Sequence, residues 1–118
     1  MSDDEARLLA DLEVKRNRTL ADLETIQAAV SSVRRSMDSF PQRQDDITQD
    51  YVARLDVDGL LDAERTQIYH AWNEALKESV SNYNDLADER EQLHVQELIL
   101  VRMVAELDAR IRALKELF

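Results

Sequence analysis

Apolar residues recur every three and four positions through the second half of the chain, with no Gly or Pro between residues 62 and 118. Positions a and d of this heptad repeat are Tyr69, Trp72, Leu76, Ser79, Tyr83, Leu86, Arg90, Leu93, Glu97, Leu100, Val104, Leu107, Ile111, Leu114 and Phe118. A repeat of about seven heptads predicts one long helix whose apolar stripe pairs with another helix. At about 1.5 Å per residue, a helix over residues 62–118 is about 85 Å long.

A second heptad stripe lies in the first third of the chain. Its members are Leu9, Leu12, Arg16, Thr19, Leu23, Ile26, Val30, Val33, Met37 and Phe40. Ser2 and Glu5 have the spacing of a capping box, in which each side chain bonds the other's backbone N–H. We therefore expect a helix over about residues 3–40. Pro41 should end it, since proline lacks the N–H that helical hydrogen bonding needs.

Residues 41–61 form the predicted connection. The polar residues 42–46 are expected to be mobile, and Ile47, Tyr51 and Leu55 lie four apart, which favours a short amphipathic helix between Asp46 and Asp56. Gly59 provides the positive φ that a turn needs.

These elements predict an all-α fold, an antiparallel helical hairpin or coiled coil with two long helices and a short helix in the connection, forming one domain over residues 1–118. The composition agrees, with 1 Gly, 1 Pro and 34% charged residues. The stripes that face each other form the predicted interaction seam: Leu23, Ile26, Val30, Val33, Met37, Phe40, Trp72, Leu76, Tyr83, Leu86, Leu93, Leu100, Val104, Leu107, Ile111 and Leu114.

Polar residues interrupt both stripes. A trial register with Phe40 beside Trp72 brings Arg16 opposite Glu97, with Thr19 and Arg90 within about a turn. Such a polar layer costs stability but specifies the alignment of the helices. The alternative is that each long side chain extends from the edge of the seam into solvent.

Apolar residues also lie outside the two stripes: Leu8, Leu20, Val95, Leu98, Ile99, Val101 and Met103. A helix that is apolar on several sides needs several neighbours. We expect the partner to be a second copy, giving a homodimer with four helices, or the helical subunits of a larger complex.

The chain carries a net charge of −10 with pI ≈ 4.6 and has no Cys. Nucleic acids and anionic lipids repel such a chain, so we expect no direct binding to nucleic acid or membrane. The acidity favours solubility or, alternatively, basic partners such as histone tails. With an acidic start and no apolar stretch of bilayer length, the expected location is cytosol or nucleus.

No motif predicts chemistry. His70 and His94 are 24 residues apart, about 36 Å along one helix, so they cannot bind one metal. Asp56, Asp58 and Gly59 resemble part of a calcium loop, but Arg54 and Arg65 would occupy its first and last ligand positions, where acidic oxygens are needed. We expect no enzyme, no cofactor, and no catalytic or metal-binding residue.

Three stretches resemble the N-terminal helical region of the inhibitor-of-growth family. Residues 16–20 with 22–24 are similar to its Arg-Asn-x-x-Leu segment and the acidic-Leu-acidic step after it. Residues 88–93 with Gln96 are similar to its acidic-acidic-basic-x-Gln-Leu stretch, although Glu91 stands where the family favours an apolar residue. Residues 100–108 resemble its closing Leu-Val…Leu-Asp segment, about one residue short.

The resemblance implies a dimerising module in a histone acetyltransferase or deacetylase complex. It also implies a zinc-binding finger that reads histones, for which this chain has no Cys. The predicted function is thus a non-catalytic dimerisation or scaffold subunit. The alternative is a cytosolic helical adaptor or chaperone that clasps client proteins.

Overall fold

A computed structural model describes residues 2–117 and shows an all-helical chain, with no strand in this range. The helices are α1 (Asp3–Asp38), α2 (Phe40–Leu55) and α3 (Asp62–Glu116). The prediction of an all-α fold with two long helices is confirmed. No helix within residues 2–117 combines the length and the apolar character that crossing a membrane requires.

The predicted capping box begins α1. The Ser2 N–H donates to Glu5 Oε2 at 3.0 Å, and the Glu5 N–H donates to Ser2 Oγ at 3.2 Å. Two N–H groups at the start of the helix are therefore satisfied by side chains. Asp3 and Asp4 add negative charge in the first turn, where the helix dipole favours it.

Pro41 begins a helix rather than ending one. α1 stops at Asp38, two residues before the predicted end, and α2 begins at Phe40 with Pro41 in its first turn. Proline is tolerated there because the first N–H groups of a helix have no partner within that helix. The Ser39 hydroxyl donates to the Ser36 carbonyl at 2.8 Å, and the Arg43 N–H donates to the Ser39 carbonyl at 3.1 Å.

α2 is longer than the short helix predicted between residues 46 and 56. It takes in residues 42–46, which we expected to be mobile. Gln42 Nε2 donates to Asp46 Oδ1 at 2.8 Å, and Arg54 donates to Asp50 Oδ2 at 2.9 Å, both between successive turns. The non-helical connection is therefore limited to residues 56–61.

The turn at residues 56–61 contains Gly59, whose φ is +81° as predicted. A side chain at this φ would be strained, although a Cβ would meet no neighbouring atom. α3 then starts with acidic residues in its first turn, and the Leu61 N–H donates to Glu64 Oε1 at 3.2 Å.

Contacts divide the chain into two compact units. Unit 1 consists of residues 1–32 with 91–118, and unit 2 of residues 33–90. The predicted single domain over residues 1–118 remains a prediction. Val33 and Met37 are buried in unit 2, and Leu107 and Ile111 are buried in unit 1. Each of the sixteen residues in the predicted seam is buried or half-buried.

Candidate interaction surface

An ion pair joins the two helical segments of unit 1. Arg16 on α1 donates through Nε to Asp108 Oδ1 on α3, with about a third of each side chain exposed. Lys115 Nζ lies 3.5 Å from Glu13 Oε1 on the same side. The partner of residue 13 on α1 is residue 115 on α3, and the partner of residue 16 is residue 108. Partner numbers fall as α1 numbers rise, so the two segments run antiparallel.

The prediction that Arg16 pairs with Glu97 in a polar layer is wrong. Arg16 pairs with Asp108 instead of Glu97, which lies eleven residues earlier on α3, about 16 Å along the axis. Glu97 is 4.0 Å from His94 Nδ1 on its own helix. Arg90 is exposed, so it contributes to no buried layer.

Aromatic side chains join the helices of unit 2. Phe40 lies against Tyr83 with ring centroids 4.6 Å apart and an interplanar angle of 43°. Trp72, which we placed beside Phe40, instead stacks on Tyr51 with centroids 6.4 Å apart and an angle of 1°. The contacts 40–83 and 51–72 show that α2 runs antiparallel to the first half of α3.

The register differs from the trial alignment by eleven residues in each unit. Tyr83 lies eleven residues after Trp72, and Asp108 lies eleven residues after Glu97. The cause is α2. The trial alignment left residues 42–61 unpaired, but α2 pairs with the start of α3 through Tyr51. The partners of Phe40 and Arg16 therefore lie further toward the end of α3.

Polar side chains are buried in both units. In unit 1, Thr19 is 5% exposed, and its hydroxyl donates to the Lys15 carbonyl at 2.8 Å. In unit 2, Ser79 is 4% exposed, and its Oγ has no hydrogen-bond partner among residues 2–117. Gln44 Oε1 and Trp72 Nε1 are also buried without a partner in that range. Because burying an unpaired polar atom costs free energy, these three positions lower the stability of unit 2.

An apolar face of α3 in unit 1 remains uncovered. Val95, Leu98 and Ile99 are 52%, 55% and 55% exposed. Their spacing of three and four residues places them on one side of the helix. Leu93 and Leu100, in the seam, face the opposite side at about 100° per residue. We call Val95, Leu98 and Ile99 the outer face; the sequence had marked all three as apolar residues outside the seam.

The side chains within residues 2–117 form no group of three His, Asp or Glu that could hold a metal ion. A groove in unit 1 is lined by Arg16, Asp108, Ile111, Arg112, Lys115 and Glu116. The groove carries charges of both signs, and Arg16 and Asp108 form an ion pair within it. Asp108 and Tyr51 also contact the facing helix, but the predicted seam did not include them. A correct register would have identified both.

No protein-family model, curated protein or solved structure matches this chain. The resemblance to the inhibitor-of-growth family therefore rests on the quoted residues alone.

Proposed function

We propose that the chain is a non-catalytic dimerisation or scaffold subunit that acts through helix–helix contacts. The observation that carries this proposal is the outer face, because its three apolar side chains are about half exposed while the seam residues are covered within the chain. Contiguous apolar surface of this kind marks interaction sites in soluble proteins.

The net charge and the family resemblance indicate the kind of partner and complex with which the chain acts. A net charge of −10 favours basic or neutral protein partners over nucleic acid. The inhibitor-of-growth resemblance favours a histone-modifying complex in the nucleus, where such a subunit would tether or dimerise other components. An adaptor or chaperone that clasps clients is the alternative class.

Co-purification with the tagged full chain tests this function. We expect defined helical subunits to be retained, with acetyltransferase or deacetylase subunits supporting the chromatin setting. Leu98→Glu should abolish their retention because it places a charge in the outer face, and Gln27→Glu, an exposed change on α1, should not. A broad set of unfolded clients would support the alternative, and retention unaffected by Leu98→Glu would contradict the role of this face.

A further inference from the structure

The outer face belongs to a second heptad stripe on α3. Glu91, Val95, Leu98 and Arg102 are spaced four, three and four residues apart, and all four are exposed. At about 100° per residue they lie within about 40° of one line along the helix. Ala105 and Ala109 continue this stripe and are also exposed. The stripe has the spacing of a helix-pairing surface but has no partner within residues 2–117.

The charges of this stripe are ordered along the helix. An acid, Glu91, precedes the apolar pair Val95 and Leu98, and a base, Arg102, follows it. Glu91 is four residues before Val95, and Arg102 is four residues after Leu98. The stripe is therefore complementary in charge to a second copy of itself that runs in the opposite direction.

We propose that a second copy of this chain docks on the outer face in antiparallel orientation, with Val95 opposite Leu98 of the other copy. This inference rests on the proposed function and names its partner. A two-fold axis midway between Val95 and Leu98 then brings Glu91 opposite Arg102 twice, once on each side. Antiparallel coiled coils pair a positions with d positions, which is the match made here.

Charge favours the antiparallel arrangement over the parallel one. In a parallel pair, Glu91 meets Glu91 and Arg102 meets Arg102, and like charges across an interface oppose association. The antiparallel pair turns both contacts into Arg–carboxylate pairs, the geometry in which a guanidinium donates two hydrogen bonds. Ile99 widens the apolar centre, and the small Ala105 and Ala109 leave room for a close approach of the partner helix.

Charge reversal in the full chain tests this arrangement. The variants are Glu91→Arg, Arg102→Glu and the double variant, with Glu24→Arg on an exposed part of α1 as the control. Sedimentation equilibrium gives the dimer dissociation constant. Because all these positions are exposed, circular dichroism should show unchanged folding. We expect each single variant to weaken the dimer about tenfold, because two attractive contacts become repulsive. The double variant should restore it, and the control should leave it unchanged.

The outcomes separate this inference from the proposed function. A dimer whose dissociation constant is the same in the wild type and in both single variants overturns the antiparallel arrangement but leaves a scaffold role intact. A wild-type chain that is monomeric at micromolar concentration also overturns it, and the scaffold role is then decided by the co-purification experiment. Weakening by each single variant with rescue by the double variant supports the arrangement.

Discussion

Phe40 packs against Tyr83 with ring centroids 4.6 Å apart, and this contact defines the register of unit 2. It places the end of α1 and the start of α2 beside the middle of α3. With Tyr51 stacked on Trp72 further along, α2 becomes part of the first arm of the hairpin in this unit. The connection is then the short turn around Gly59, not a linker of about twenty residues.

Trp72→Ala should destabilise the protein. Trp72 is half-buried and stacks with the rings of Tyr51 and Tyr69, each with its centroid 6.4 Å away. Full burial of an aromatic residue makes its loss cost 3–5 kcal/mol, so a half-buried ring should cost about 2 kcal/mol. The melting temperature followed by circular dichroism should fall by about 8 °C.

Tyr69→Ala is the matched control for Trp72. Tyr69 is an aromatic residue of the same helix but is 55% exposed, so its loss should lower the melting temperature less. Equal effects of the two substitutions, or an unchanged melt for Trp72→Ala, would place Trp72 outside the core.

The pair of Arg16 and Asp108 should contribute a measurable but small coupling energy. About a third of each side chain is exposed, so solvent screens the pair, and we expect about 0.5–1 kcal/mol. A double-mutant cycle with Arg16→Ala and Asp108→Ala, read by urea denaturation, measures this energy. The same cycle with Arg16→Ala and Glu97→Ala should give no coupling, and a larger value for Glu97 would restore the trial register.

Ser79→Ala should stabilise unit 2. The Ser79 hydroxyl is buried without a partner among the described residues, so removing it relieves a desolvation cost, and alanine is the better helix former. We expect a gain of about 0.5–1 kcal/mol in the free energy of unfolding. Thr19→Ala is the comparison, because the Thr19 hydroxyl donates to the Lys15 carbonyl. Thr19→Ala should give no gain in the free energy of unfolding. A loss of stability in Ser79→Ala would show that the Ser79 hydroxyl has a hydrogen-bond partner and would contradict this account.

The sequence predicted which residues face inward but not which residues face each other. Heptad spacing is a property of each helix, so it identified Leu107 and Ile111 as seam residues without their partners. A displacement of eleven residues is just over three complete turns at about 3.6 residues per turn, so the same side of α3 faces α1 in either register. Periodicity cannot distinguish two alignments that present the same face.

The register was missed because Pro41 is ambiguous in a sequence. Proline both ends helices and occupies their first turn, and the polar residues that follow it gave no apolar signal for α2. Ile47, Tyr51 and Leu55 did predict a helix, but too short a one. The outer face was visible in the sequence as excess apolar residues, whereas its exposure needed the structure.

Cross-linking in unit 2 tests most directly that α2 extends the first arm. The chain has no native Cys, so a pair of introduced cysteines reports on one contact alone. A disulfide requires Cα atoms about 4.4–6.8 Å apart, while Trp72 and Tyr83 are about 16 Å apart along α3. Phe40→Cys with Tyr83→Cys should therefore oxidise within one chain far more readily than Phe40→Cys with Trp72→Cys. Preferential cross-linking of the 40–72 pair would contradict the register and the role given to α2.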